Sequence, residues 1–342
     1  MTTTPEPDLE AARRALRAWG IEADRLTALQ GGAVNEHWLV EGGEQPLVLR
    51  RYRARHAAEA TPYEHALLTF LEGRGWPVAA PIAALDGDTI VEVGDRRWSL
   101  FPYLPGEPPD PDDTRALLRK GALLALLHTD LQEWDRPGQR PTFSRVDDLD
   151  TYVRPDGYPS YGALLEWFET HDPEHASTLE RTRQRNAFAL EHLEYRAQPA
   201  VVTYNECLGN NVLFEGDTVT GLLDFDFAHE DARVADIARS LLVDCGPDLE
   251  RVRHWMTGYT AHADPPLSTE EADLLPDLIV ANAIWNAVVP LSIASRSGDA
   301  WMVEAARDQI EELPALEAKK RDLRRLIRAV AGRPEPGHLE ES

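Results

Sequence analysis

Apolar positions along the chain change period several times, and each change marks an element. From about Asp8 to Trp19 they recur at helical spacing. The runs "HWLVE" and "PLVLRRY" then read as strands, with "GGEQ" as the turn between them. "TPYEHALLTFLEGRG" returns to a helix: Thr61 can cap it, Pro62 suits the first helical position, and Gly73 and Gly75 stop it. Glu64 completes a T-x-x-E capping box there. "DTIVEVGDRRWSLFPYL" predicts a hairpin turning at Gly94-Asp95, and the proline- and acid-rich "LPGEPPDPDD" predicts a connector.

Beyond the connector, helical spacing dominates over Thr114 to Leu131, Asp172 to Leu193, Asp248 to Ala261, Ser268 to Ala294 and Trp301 to Val330. Asp172-Pro173 starts one of these, and Ser268 with Glu271 forms a capping box on another. A single β island interrupts them, with strands Asn211 to Phe214 and Thr218 to Leu223 around an "EGD" turn. The pattern predicts an α+β chain: a small β-rich lobe over residues 1–104, a larger mainly helical lobe over 105–330 that carries the polar hairpin, and a polar tail over 331–342. That is the layout of a cleft enzyme, with the hairpin facing the cleft.

Charge narrows the partners. Lys+Arg total 35 against 59 Asp+Glu, a formal net charge of -24, which repels phosphate backbones and anionic lipid heads. Neither a nucleic acid nor a membrane is therefore expected as a partner. Lysine occurs only at 120, 319 and 320, so arginine carries nearly all the positive charge. Cys207 and Cys245 give no disulfide framework and fit a reducing compartment. The start "MTTTPEPDLE" lacks the basic and apolar regions of a secretory signal. The longest apolar stretch, Ile279 to Ala294, carries Asn282 and Asn286 and reads as too short to span a bilayer. These features together predict a cytoplasmic protein; a monomer or a homodimer is expected, and the sequence does not choose between them.

Candidate chemistry gathers in the β island, where Asn205, Glu206, Asn211, Asp224 and Asp226 stand close in sequence. Asn211 at the start of one strand and Asp224 at the end of its partner reach the same end of the hairpin. An amide oxygen and a carboxylate placed so can hold Mg²⁺, a hard cation that keeps several waters for nucleotide phosphates. The alternative is that Asn, Asp, Gly and Glu here are simply turn formers. The spacing favours chemistry: a carboxylate, five residues to an asparagine, a strand, then Asp-Phe, as in a kinase catalytic loop and its metal-binding Asp-Phe-Gly.

On "YNECLGNNVLF" and "LLDFDFAHEDARVADIA" the sequence resembles the aminoglycoside phosphotransferase / choline kinase-like family, and most closely its type II homoserine kinase-like branch. "GGAVNEHWLV", "LVLRRY", "YEHALLTFL", "GWPVAAPI", "LFPYLPGE" and "LLALLHTDL" follow in the family's order. The resemblance implies a bilobal protein-kinase-like fold and ATP- and Mg²⁺-dependent phosphorylation of a small-molecule hydroxyl, with GTP an open alternative to ATP. Acceptors in the family include aminoglycosides, homoserine, choline and sugars. Carried over by position, Glu206 stands at the catalytic carboxylate that orients or deprotonates the acceptor, and Asn211 and Asp224 are catalytic metal ligands. Gly31 and Gly32 lie in the loop that covers the phosphates. Arg50 stands where the family has a phosphate-binding lysine, and Glu64 where it has that lysine's ion-pair partner. Phe101 to Leu104, with Tyr103, corresponds to the adenine-holding hinge, and Asp236 to a loop-supporting aspartate.

The residues also allow plainer roles: a turn at Gly31-Gly32, a solvated strand face at Arg50, the capping box at Glu64, and a helix cap at Asp236. Cys207 and His128 read as packing residues. Two positions depart from the family pattern. Tyr204 replaces the histidine that opens the loop. Glu206 replaces its aspartate, which moves the carboxylate by about 1–1.5 Å from ordinary bond lengths. Displacement on that scale can cost about a hundredfold in rate. Phosphoryl transfer, however, rests mainly on positioning and charge neutralisation. A working phosphotransferase with a shifted acid and a nucleotide- or ligand-binding pseudokinase both follow from that change. The acidic, tryptophan-bearing segments "DDLDTYVRPDGYPSYGALLEWFE" and "AIWNAVV" suggest a cationic or amphipathic acceptor.

Overall fold

The computed structural model describes residues 8–29, 35–52, 59–135 and 138–332. The chain forms two compact units: Met1–Glu107 with Leu213–Leu223, and Pro108–Val212 with Asp224–Ser342. The hairpin strands at 213–223 thus count with the first unit, although the apolar pattern assigns them to the helical lobe.

In the first unit, α1 (Leu9–Leu16) is capped by Asp8, whose carboxylate accepts from the Ala11 N–H at 2.9 Å. Strands β1 (Arg25–Leu29), β2 (Glu36–Glu41) and β3 (Leu47–Arg51) follow, then α2 (Ala60–Gly73), β4 (Val91–Val93) and β5 (Arg96–Pro102). The strands pair antiparallel in the order β1-β2-β3-β5-β4. β4 and β5 turn at Gly94-Asp95, where Gly94 takes a φ of 67° that suits glycine. Leu49, Trp98 and Leu100 point to the same side of the sheet and pack with Ala12, Ala15, Leu16 and Trp19 of the N-terminal segment. Trp38 and Trp98 meet there with ring centroids 5.3 Å apart. Strand alternation then directs Arg50 to the opposite face. The expected capping box on α2 does not form: Glu59 is its N-cap, with no side-chain cap bond. Glu64 is instead buried and serves Arg50.

The second unit opens with α3 (Thr114–Leu131), capped by Asp113. Then come α4 (Leu149–Val153), α5 (Tyr161–His171), α6 (Pro173–His192) and β6 (Val201–Thr203). The hairpin β7 (Val212–Glu215) and β8 (Thr218–Leu222) intervenes before β9 (His229–Asp231), which pairs antiparallel with β6. The unit ends with α7 (Arg233–Asp244), α8 (Leu249–Thr260), α9 (Thr269–Ser297) and α10 (Ala300–Ala331). Asn211 does not begin a strand as expected; it closes a 3-10 turn over Gly209–Asn211 just before β7.

Helices α3 and α8 cross closely because each offers a glycine. A Cβ on Gly121 would meet the Trp255 carbonyl oxygen at 2.1 Å, and one on Gly258 the Leu118 carbonyl oxygen at 1.9 Å. The Ser268–Glu271 capping box on α9 is complete. Its 29 residues correct the expectation of a span too short for a bilayer: length and composition suffice, but 72% of its most apolar window is buried. Asn282, within that window, donates to the carbonyls of Ala235 and Leu278, so its amide is satisfied inside the core.

Candidate active site

The loop after β6 is held from below by one carboxylate. Asp236, fully buried in the first turns of α7, accepts from the Tyr204 N–H at 2.7 Å and the Asn205 N–H at 3.0 Å. It is not the helix cap, a position that Ala232 takes. His128 Nε2 lies 3.1 Å from the same carboxylate, and His128 Nδ1 lies 2.9 Å from the Tyr259 hydroxyl. His128 thus packs within the helical core, and it also extends the polar network behind the loop. Tyr204 is buried and stacks on Phe225 at 4.3 Å, so the departure from histidine supplies packing under the Asp-Phe segment. Burial raises its phenol well above the ordinary range.

Asn205 takes a φ of 62° and Asp224 a φ of 60°, a region that residues other than glycine enter rarely and that Asn and Asp tolerate best. Such outliers collect at functional loops. The bend at Asn205 is secured by its amide, which donates to Thr203 Oγ1 at 2.6 Å and to the Phe227 carbonyl at 3.2 Å.

Glu206 is buried, and each of its oxygens has an N–H partner. Arg239 Nη2 donates to Oε1 at 2.7 Å, and Asn211 Nδ2 donates to Oε2 at 3.1 Å. Burial raises the Glu206 carboxyl above its usual range, and the Arg239 guanidinium pulls it back toward ionisation. Arg239 was not singled out by the sequence. A signal did exist: it lies one helical turn after Asp236 on α7, so both residues face the same loop.

The next turn is anchored from two helices. Gly209 N–H donates to Asp244 Oδ1 at 2.7 Å, and its carbonyl accepts from Lys120 Nζ at 3.0 Å. Lys120 also bridges both Asp244 oxygens at 3.1 Å. Lys120, Asp244, Asn210 and Arg251 line a cavity of about 240 Å³ beside this turn. Cys207 is buried and its thiol is pushed well up by desolvation, the state of an inert packing group.

Asp224 follows β8 and is exposed, whereas Asp226, two residues on, is buried. Arg140 fixes this segment by donating to the carbonyls of Phe225 at 3.0 Å and Ala228 at 2.7 Å. Among the described residues, no three or more His, Cys, Asp or Glu side chains converge as a metal cage. Magnesium suits such a setting, because it is bound through one or two protein oxygens plus phosphate and water. An Asn oxygen at 211 and an exposed carboxylate at 224 fit that donor set.

In the first unit, Arg50 Nη1 donates to Glu64 Oε1 at 2.7 Å, with the two side chains 13% and 2% exposed. The guanidinium lies 4.8 Å from the Phe101 ring centroid and 5.8 Å from that of Tyr52. The Phe101 side chain is therefore buried beside the ion pair, while Tyr103 is exposed. The Tyr103 N–H is committed to the Pro46 carbonyl at 3.1 Å. Gly31 and Gly32, expected over the phosphates, lie outside the described residues, as do residues 333–342 of the expected tail.

The family match gives the class: a phosphotransferase. Residues 25–267 match the model of the phosphotransferase enzyme family, and the chain belongs to that family. Membership makes it an enzyme that transfers phosphate to hydroxyls of small molecules. The homoserine kinase of Rhodospirillum rubrum is 28% identical over 266 residues, covering 75% of this chain and 78% of that protein. That of Beijerinckia indica is 27% identical over 277 residues, covering 76% and 77%. Among solved structures, the microcompartment-associated aminopropanol kinase superposes with a TM-score of 0.64 at 21% identity, over 92% of this chain and 98% of that one. Choline kinase from Cryptosporidium parvum gives 0.65 at 12% identity, over 92% and 97%. The fold is protein-kinase-like.

Proposed function

We propose that this protein uses ATP and Mg²⁺ to phosphorylate the hydroxyl of a small polar metabolite or antibiotic. The observation that carries the reading is the Glu206 carboxylate, buried, held at both oxygens, and five residues before Asn211. Glu206 would orient the acceptor hydroxyl and take its proton as the new O–P bond forms and the bond from the γ-phosphorus to the departing ADP breaks. Asn211 and Asp224 would hold Mg²⁺, whose charge, when bound, offsets that of the phosphates. Arg50, kept in place by Glu64, would grip phosphate through its planar fork of donors. The segment Phe101 to Leu104 would hold the adenine, without the Phe101 side chain, which is already packed, and without the Tyr103 N–H, which the Pro46 carbonyl takes.

Two measurements test this. ATP with Mg²⁺ raises the thermal midpoint more than either alone, with GTP run beside it. ADP release is then scored over homoserine, amino alcohols, choline, aminoglycosides and sugars; at least one turns over. Nucleotide binding with no turnover of any acceptor supports the pseudokinase reading instead. The Glu206–Arg239 ion pair, which occupies one carboxylate oxygen, is the observation on that side.

A further inference from the structure

We infer that Arg239 is the positioning residue that allows a glutamate to work where the resembling loops carry an aspartate. The inference rests on the proposed phosphotransfer. A glutamate has one more rotatable bond than an aspartate, so an unheld Glu206 carboxylate would sample positions away from an acceptor hydroxyl. Here it is gripped from two sides, by Arg239 Nη2 on Oε1 and Asn211 Nδ2 on Oε2. Each carboxylate oxygen has two lone-pair sites, so one on each remains for the acceptor.

Arg239 is itself held on several sides. Its Nε donates to the Asn205 carbonyl at 2.7 Å and its Nη1 to Asn286 Oδ1 at 3.0 Å. Its guanidinium lies 4.8 Å from the Trp285 ring centroid, and its side chain is 11% exposed. Three nitrogens thus meet three partners, a geometry that a planar fork provides and a lysine does not. Asp236, one turn earlier on α7, holds the amides of Tyr204 and Asn205, so one helix fixes both the backbone and the acid of the loop. An aspartate at 206 would draw its carboxylate back by about 1.5 Å, one carbon–carbon bond, and out of reach of Arg239. The pair also means that the Trp285 face is served by the chain's own cation rather than by an amine on the acceptor.

The test is a double-mutant cycle on the full-length protein, with the acceptor found in the panel and saturating ATP and Mg²⁺. Arg239→Met is expected to lower kcat about 10- to 100-fold, within the range for a misplaced base. The KM for ATP should stay within about twofold, since Arg239 touches no nucleotide site in this account. In the Glu206→Ala background the same substitution is expected to change the residual rate less than about twofold. Arg239→Lys, which keeps the charge without the fork, should recover part of the loss, and it carries the cycle if Arg239→Met does not fold. An equal loss in both backgrounds, or an unchanged kcat in the first, overturns the positioning role while leaving phosphotransfer standing. A wild-type protein that binds ATP with Mg²⁺ yet turns over no acceptor overturns both.

Discussion

The Arg50–Glu64 pair of the first unit and the Arg239–Glu206 pair of the second are built alike. Both place a guanidinium nitrogen 2.7 Å from a buried carboxylate oxygen, and both lay the guanidinium 4.8 Å from an aromatic centroid. Their surroundings differ. Glu64 is the more deeply buried carboxylate and anchors its arginine to α2 from the far face of the sheet. In the second pair the arginine is the anchor: tied to Asn205 and Asn286, it fixes a carboxylate that also accepts from Asn211. One motif thus serves opposite ends. Under the proposed function, the first acid would steady an arginine for phosphate, and the second arginine would steady an acid for a proton.

The largest stability effect should come from breaking the first pair. Glu64→Ala takes the Glu64 carboxylate away from the largely buried Arg50 guanidinium, and removing one partner of a buried pair costs about 3–5 kcal/mol. Urea denaturation measures it; a loss below about 1 kcal/mol would show that solvent reaches and screens Arg50. A packing control that touches neither pair is Gly258→Ala. Its methyl would meet the Leu118 carbonyl, so the α3–α8 crossing must open, at about 1–3 kcal/mol for overpacking. The kcat per folded molecule should hold, in contrast to substitution of Arg239.

The smallest effect is one of pH. Burial depresses the His229 imidazole from 6.5 to about 4 in the folded state. Its contribution is therefore present above pH 6.5 and is lost as the pH falls toward 4. Asp231, on the same strand, is raised by burial from 3.8 to about 6, so its contribution is present below 3.8 and lost as the pH rises through 6. The two oppose each other in mildly acidic solution. His229→Gln removes only the first, and should lose up to about 2 kcal/mol less stability than the wild type between pH 7 and pH 5. Equal losses in the two proteins would place a charged His229 in the folded state.

Much of the frame was legible because it is local. Helical spacing located α3 at its observed bounds, and a two-part box located the start of α9. The start of α2 misled, because a threonine and a glutamate at box spacing were spent elsewhere: Glu64 gains more from a buried arginine than from a helix end. Helices α4, α5 and α7 were not foreseen as helical spans; α7 in particular follows β9 directly, and its buried Arg233, Asp236 and Ser240 interrupt the apolar pattern. In the candidate site, Glu206, Asn211 and Asp224 lie within one short stretch, and their spacing is what singles them out as candidates. Arg239 lies 33 residues beyond Glu206, and only folding brings it to the loop. The buried Lys120–Asp244 bridge, spanning 124 residues, was hidden for the same reason. Sequence shows where polar groups are concentrated; it does not show which distant charge makes one of them tolerable inside.

The most direct test is turnover by Glu206→Ala at saturating ATP, Mg²⁺ and acceptor, read as ADP release beside the thermal shift that ATP produces. Loss of about a hundredfold or more in kcat with the ATP shift retained is the expected result, because a positioned base contributes about 10²–10⁴. Unchanged turnover would remove Glu206 from the chemistry and leave its pairing with Arg239 a purely structural ion pair.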